Sequence, residues 1–469
     1  MNACSLSTTC SFTRTIQAGD STVVASQASS SYSSSSNYFI TLAPPSTSYK
    51  IRVIFQNFDT ESGYDTVYLY SGDAAGAFKT SAATPSTLQP LFSFSGSILP
   101  PMVDNTVCGL PLTVQLYSDT SVTSSGIKFT AHAIACPLPV VATFAGQTIQ
   151  LNAFIGGYAD GLGTNAMFDY IEGISFAQNG MMYVADAGNN RIRTIDSSGY
   201  VTTLAGKDRG FGDGQGTYAS FDQPKGVSIA PNGNLYVADS DNHRIRAISP
   251  TGFVYSFVGG AQGFADGYGT NARFSYPAGL SISSTDGIMY VADTNNHRIR
   301  AISPDGMVST IAGKEYGFDD GLGTNARFRF PEGVSVTSSS AMIYVVDTGN
   351  HRIRSISPSG SVQTIAGQAS GGLADGQGTN AKFYYPYGIS VSPGGVIYVA
   401  DKFNHRIRSI SPTGFVSTVA GRSSAWYENG VGTNARFYYP GDIAVSPSGV
   451  IYVADTNSYR VRSITYMYI

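Results

Sequence analysis

Six times along this chain an aspartate is followed five residues later by an arginine: Asp186/Arg191, Asp239/Arg244, Asp293/Arg298, Asp347/Arg352, Asp401/Arg406 and Asp455/Arg460. In four of them a histidine stands directly before the arginine: His243, His297, His351 and His405. The surrounding words barely change, as in "YVADSDNHRIRAISPTG" at 236–252. Carboxylate, imidazole and guanidinium are the groups of general acid–base catalysis, metal ligation and phosphate recognition. A catalytic constellation is not needed six times with equal fidelity, whereas a packing unit is. The couples are therefore expected to be structural, because a guanidinium buried in a strand needs a carboxylate or carbonyl partner. The histidines, spread one per repeat, are read as strand-packing groups rather than metal ligands. No catalytic residue is assigned.

A second copied word, "FADGYGTNARFSYP" at 264–277, places an acid or amide at Asp160, Asp213, Asp266, Asp320, Asp375 and Asn429. The same word places Phe168, Phe221, Phe274, Phe328, Phe383 and Phe437 at one position each. Asp-Gly and Gly-Thr-Asn are turn chemistry. The acids are expected to cap their own backbone; as a rim of carboxylates they would instead suit a cation or a sugar. The phenylalanines are expected to anchor the segment between repeats.

The repeated aspartates lie 53 or 54 residues apart, a period that belongs to an array, a solenoid or a propeller. Within each period, short alternating runs such as "GVSIA", "NLYVAD", "RIRAIS" and "FVYSFVG" are split by Gly, Pro and Asn turns. Four strands per repeat make a propeller blade. The last repeat stops after its third strand, at "YRVRSITYMYI", while an orphan fourth strand stands ahead of the first repeat at "VVATFAGQ", 140–147. A ring closed by Val140–Gly146 explains both facts and removes two sheet edges. The prediction is a six-bladed β-propeller over 140–469, closed by an N-terminal strand.

The recurring G-I/V-x-V, Y-V-A-D and N-H-R-I-R strands, in that order, resemble the NHL repeat. Some NHL propellers bind nucleic acid. Here the two arginines of six blades take 12 of the 28 basic residues and the net charge is −3, so no large basic face is expected and nucleic acid is not a predicted partner. No apolar run approaches the ~18–20 residues of a membrane-spanning helix.

All four cysteines lie in the first 136 residues. An even number confined to a β-rich segment reads as disulfide-stapled and extracellular. Four cysteines allow three connectivities; a hairpin pairing 112–118 with 126–133 would bring Cys108 to Cys136 and leave Cys4 to Cys10. The opening "MNACSLSTTC" lacks the basic flank and apolar core of an export signal. Strands at "YKIRVIFQNF" and "DTVYLYSG", a Pro-Pro turn, F-x-x-F-D-x-E, Y-D and a later S-D-x-S followed by G-I-x-F resemble a CUB domain, an extracellular β-sandwich, over roughly 10–136. That resemblance implies a calcium ion held by Glu61, Asp65 and Asp119, a hard cation suiting three carboxylates. The loop between Glu61 and Asp65 is shorter than the family's and lacks its cysteine.

The expected organisation is a disulfide-bonded CUB-like β-sandwich at 1–136, a proline-stiffened linker at 137–139 and the propeller at 140–469. The expected function is that of a secreted, non-enzymatic binding or structural protein, a subunit of a matrix, coat or filament working through protein–protein contacts. Two alternatives stand beside it: a lyase- or lactonase-type propeller enzyme with a metal at its channel mouth, and a carbohydrate-binding adhesin. The near-identity of the repeats gives no sign of an odd blade carrying a cluster of its own at that mouth.

Overall fold

Runs of alternating apolar residues bounded by Gly, Pro and Asn become short strands throughout, as their period of two dictates. The computed structural model describes residues 138–147, 156–337, 341–424 and 426–467 with their side chains, and the backbone of nine strands between residues 9 and 135. The chain divides into two compact units, Met1–Leu138 with Met467–Ile469, and Pro139–Tyr466.

In the first unit the strands are β1 (Thr9–Thr15), β2 (Ala25–Ser26), β3 (Asn37–Ala43), β4 (Tyr49–Asp59), β5 (Thr66–Ser71), β6 (Phe92–Phe94), β7 (Val103–Asp104), β8 (Leu112–Tyr117) and β9 (Gly126–Ala135). They form two sheets, ordered β1-β3-β8-β5-β6 and β2-β9-β4-β7. The hairpin expected between 112–118 and 126–133 is absent, because β8 and β9 belong to different sheets. The eleven-residue β4 gives β9 a longer partner than β8 can, with pairing from Tyr49↔Ala135 to Asp59↔Gly126. β8 lies instead between β3 and β5. The side chains of Cys4, Cys10, Cys108 and Cys136, and those of Glu61, Asp65 and Asp119, lie outside the described residues.

The second unit is a six-bladed β-propeller. Its second blade runs from the inner strand Pro224–Ile229 through Leu235–Asp239 and Arg244–Ile248 to the outer strand Phe253–Gly259. The linking word adds a fifth, two-residue strand, Gly214–Gln215, outside the outer one, in register Gly214↔Val254. The same two-residue strand covers the outer edge of every blade. The link between blades thus wraps around the edge and shields its free N–H and C=O groups before returning to the centre. Its phenylalanine is buried between blades. Phe274, for example, packs with Ala238, Ile245 and Val258 of the second blade and Leu280 and Met289 of the third.

The ring closes through β10 (Leu138–Ala145), which lies in the sixth sheet between Arg460–Met467 and Gly430–Val431. Val141 and Ala145 are buried. At the axis, glycines let neighbouring inner strands approach. A Cβ added at Gly226, Gly279 or Gly333 would stand 2.4 Å from the carbonyl oxygen of Ala278, Glu332 or Tyr387 in the next blade. Among the described residues no helix is long and apolar enough to cross a membrane.

Candidate functional site

The repeated ions are consumed inside the blades. Asp239 and Arg244 face each other across two strands, as the sequence pattern implies. The carboxylate, however, pairs with the second arginine: Arg246 Nη1 lies 2.8 Å from Asp239 Oδ2, and both side chains are fully buried. The same correction applies in every blade, as Asp186–Arg193, Asp293–Arg300, Asp347–Arg354, Asp401–Arg408 and Asp455–Arg462, at 2.7–2.9 Å. Arg246 also donates to the carbonyls of Ser220 and Gly212 and to Asp213, so one guanidinium clamps the linking segment onto the blade. The first arginine goes elsewhere. Arg191, Arg244, Arg298, Arg352 and Arg460 lie 3.6–4.0 Å over the rings of Tyr158, Phe211, Phe264, Phe318 and Tyr427. In the fifth repeat Leu373 stands in place of the aromatic, and Arg406 donates to the carbonyl of Asn404. The aromatic residue two places before the acid or amide, present in every repeat but the fifth, was the signal that separates the two arginines.

The acids of the linking word neither cap their own backbone nor form a free rim. Asp160, Asp213, Asp266, Asp320 and Asp375 each accept from the second arginine of their blade at 2.5–2.7 Å, and Asn429 accepts from Arg462 at 2.8 Å. Four of them, Asp160, Asp266, Asp320 and Asp375, also bind the backbone N–H of a threonine in the outer strand.

The histidines sit in turns, not in strands. His243, His297, His351 and His405 hold φ of 55–58° at the end of a 3-10 turn. Each Nδ1 accepts the backbone N–H of an aromatic residue in the next blade: Tyr276, Phe330, Tyr385 and Tyr439, at 3.1–3.3 Å. Those aromatics also have φ of 45–53°, a region that bulky residues rarely enter. Nδ1 as acceptor makes each imidazole neutral with its proton on Nε2, and burial pushes all four below the usual histidine value. The unfolded chain takes up these protons first, so the histidine joints contribute fully above about pH 6.5 and weaken as pH falls through the lower folded values. The blade carboxyls Asp186, Asp239, Asp347 and Asp401, pushed up to about 6 by burial, act on stability with the opposite sign. The joints are therefore best read at the imidazoles: NMR titration should place all four midpoints below 6.5, and a midpoint at or above that value would remove the acceptor role.

The channel mouth departs from the repetition, contrary to the sequence expectation. At one position of the repeat, at or just before the start of the inner strand, stand Glu172, Lys225, Ala278, Glu332, Tyr387 and Gly441 in turn. The following glycine is replaced by Asp442 in the sixth blade alone. Lys225 reaches over the small Ala278 position to Glu332, with Nζ 3.8 Å from Oε2. Lys402, in a turn of the fifth blade, reaches over Gly441 to Glu172 at 3.7 Å and lies 3.6 Å above the Tyr387 ring. Two ion-pair struts thus join blades that are not neighbours. Burial raises the Glu332 carboxyl against the pull of Lys225 and Lys402. Burial works to lower the Lys225 amine, and Glu332, Tyr387 and Glu172 more than offset it. We read the pair as ionised, since both lysines face the carboxylate. Asp442 is pushed up to about 7 by burial, although Ile174 N–H donates to it across the closing seam at 2.9 Å. Among the described residues no three of His, Cys, Asp and Glu converge as a metal site.

Beside the mouth, the fifth and sixth blades carry a continuous set of rings. Phe403, which follows Lys402, lies 5.1 Å from Tyr385 and from Tyr439 and 5.7 Å from Tyr384. Tyr438 continues the set at 5.3 Å from Tyr439. Tyr384 and Phe403 are exposed. The equivalents of Phe403 are Gly188, Asp241, Asn295, Gly349 and Asn457, so this aromatic is peculiar to one blade.

The NHL repeat model matches residues 221–248, 274–302, 328–354, 383–408 and 437–462. The chain is 28% identical over 292 residues to NHL repeat-containing protein 2 of Bos taurus, covering 54% of this chain and 40% of that protein. It is 27% identical over 276 residues to the chloroplastic protein Suppressor of quenching 1 of Arabidopsis thaliana, covering 55% and 26%. The chain therefore spans well under half the length of these relatives. Among solved structures, an auxiliary nutrient binding protein from Bacteroides ovatus matches with a TM-score of 0.55 at 16% identity, covering 89% of this chain and 94% of that one. That likeness is one of fold.

Proposed function

From a six-bladed propeller built of NHL repeats, we propose that this protein works by binding rather than catalysis: a secreted subunit of an extracellular matrix, coat or filament, held by protein–protein contacts. The aromatic set on the fifth and sixth blades carries this reading. Interface cores are enriched in Tyr and Phe and depleted of charge. Tyr384, Tyr385, Phe403, Tyr438 and Tyr439 make such a patch on a scaffold whose repeated ions are used up internally. In the same reading the first 136 residues, which resemble a CUB domain, hold calcium at Glu61, Asp65 and Asp119 and add a second contact module.

Sedimentation velocity over a range of protein concentrations, with and without calcium, tests the patch. The intact chain is expected to self-associate, or to co-sediment with its purified partner. The double variant Tyr384→Ser, Phe403→Ser should do neither while melting at the same temperature, since both side chains are exposed. Identical sedimentation of the two proteins would remove the patch as the contact surface.

A further inference from the structure

The axial channel encloses about 360 Å³, lined by the inner strands of all six blades. That is within the ~300–1,000 Å³ of small-molecule sites and far above the ~30 Å³ share of one water. Near-identical repeats would build a near-symmetric channel, and the serines Ser175, Ser228, Ser281, Ser335 and Ser390 do so at one level. At the mouth the symmetry is broken by Glu172, Lys225, Glu332, Tyr387, Lys402 and Asp442, which form no part of any repeated clamp.

Two observations say what such a lining accepts. The struts, at 3.7 and 3.8 Å, are ion pairs too long to be hydrogen bonds; the Glu332 carboxyl, in a residue 8% exposed, takes the Tyr387 hydroxyl, while its Oε2 is met by the long Lys225 contact alone. A buried carboxylate oxygen met only by an ammonium beyond hydrogen-bond distance is incompletely satisfied, and a small shift of the Lys225 amine would admit a hydroxyl between the two. The charges of the struts balance, since two lysines face two glutamates, and burial favours the neutral form of the neighbouring Asp442. A net-charged ligand would leave one charge uncompensated in a buried site. A hydroxyl donates to a carboxylate and accepts from an ammonium at once, bridging a long pair without adding charge. The serine level beyond offers the same two-way partners.

We propose that the axial channel holds a small neutral polyhydroxylated solute, a polyol or monosaccharide, whose hydroxyls bridge the Lys225–Glu332 and Lys402–Glu172 pairs and continue to the serine level. This site is separate from the aromatic patch, so either can fail without the other.

The repeats supply test variants that the fold already accommodates. Ala278 occupies the position of Glu332 in the third blade. Thr294, Thr348 and Thr456 occupy that of Lys402, each donating to a carbonyl of the next blade at 2.7–2.8 Å. Glu332→Ala and Lys402→Thr should therefore fold. Saturation-transfer NMR on the intact protein, with glucose, galactose, mannose, glycerol and myo-inositol as probes, reads the binding. Glucuronate, glucosamine and glycine serve as charged comparators. At least one neutral polyol is expected to bind, the comparators more weakly, and each variant should weaken that binding about tenfold or more; cooperative unfolding should persist in both, at a lower melting temperature for Glu332→Ala, which leaves Lys225 without its partner. Three results would each overturn the proposal: no polyol binding, comparators binding as tightly as the neutral probes, or an affinity unchanged by both variants.

Discussion

A chain beginning at residue 137 is expected to melt cooperatively near the temperature of the whole propeller, and one beginning at residue 148 to melt far lower or to aggregate. The difference between the two is β10. Without it the sixth blade loses its outer strand, and the third strand, Arg460–Met467, becomes an open edge. Gly430–Val431 loses the partners Val140 and Val141. Val141 leaves a core that it shares with Phe437, Val453 and Ile464. Phe144 leaves Tyr452, 5.0 Å away. Each large apolar side chain removed is worth about 1.5–3 kcal/mol, before the strand's backbone hydrogen bonds are counted. The seam between the first and last blades keeps Thr456 with Ile171, Asp442 with Ile174 and the apolar contacts of Phe168, Ile171 and Ile174 with Ala444, Ala454 and Val461, so the loss falls on the sixth blade itself. Differential scanning calorimetry decides: equal melting temperatures for the two truncations would show that the ring does not depend on its closing strand.

Asp293→Ala is expected to destabilise the propeller by about 3–5 kcal/mol, because it removes the one fully buried acid on Arg300 and leaves that guanidinium the half-exposed Asp266 and two carbonyls. The same carboxylate also accepts Ser275 N–H and the Asn296 amide, so its loss empties three hydrogen bonds at one point. Two controls set the scale. Asp266→Ala removes the other acid on Arg300, whose side chain is 45% exposed and whose loss water can offset; about 1 kcal/mol is expected. Arg298→Met removes a cation over the face of Phe264 and should cost about 0.5–2 kcal/mol. Urea unfolding ranks the three. Equal losses for Asp293 and Asp266 would mean that the inner pair is no better shielded than the outer one.

The blade number and the closing strand were legible in the sequence, because a 54-residue period leaves its start and stop in plain view and an orphan strand has only one vacancy to fill. The fifth strand was not, since two residues carry no alternation. The acid of each ion pair was found and the arginine was not. Backbone register places Asp239 opposite Arg244, but a guanidinium on a long stem binds well beyond its Cβ neighbour, and the aromatic at Phe211 competes for the nearer one. The channel mouth was overlooked for a related reason. Similarity between repeats marks what recurs, whereas Glu172, Lys225, Glu332 and Tyr387 are informative because they differ at one position. In the first unit, adjacency in sequence suggested a hairpin, and the length of β4 decided otherwise.

The glycines at the axis have an arithmetic consequence. Duplicating one 54-residue unit would be the simplest way for such a gene to grow, and nothing in the outer blade surfaces forbids a seventh copy. The axis does. Gly226, Gly279 and Gly333 touch their neighbours' carbonyls at a distance that suits six strands around one centre. A seventh would widen the channel and change the angle at which neighbouring inner strands meet, so each carbonyl would have to approach its glycine from a new direction. The collar therefore counts: it is a gauge that holds the ring at six, and a lineage that escaped it would be expected to show side chains where these glycines stand.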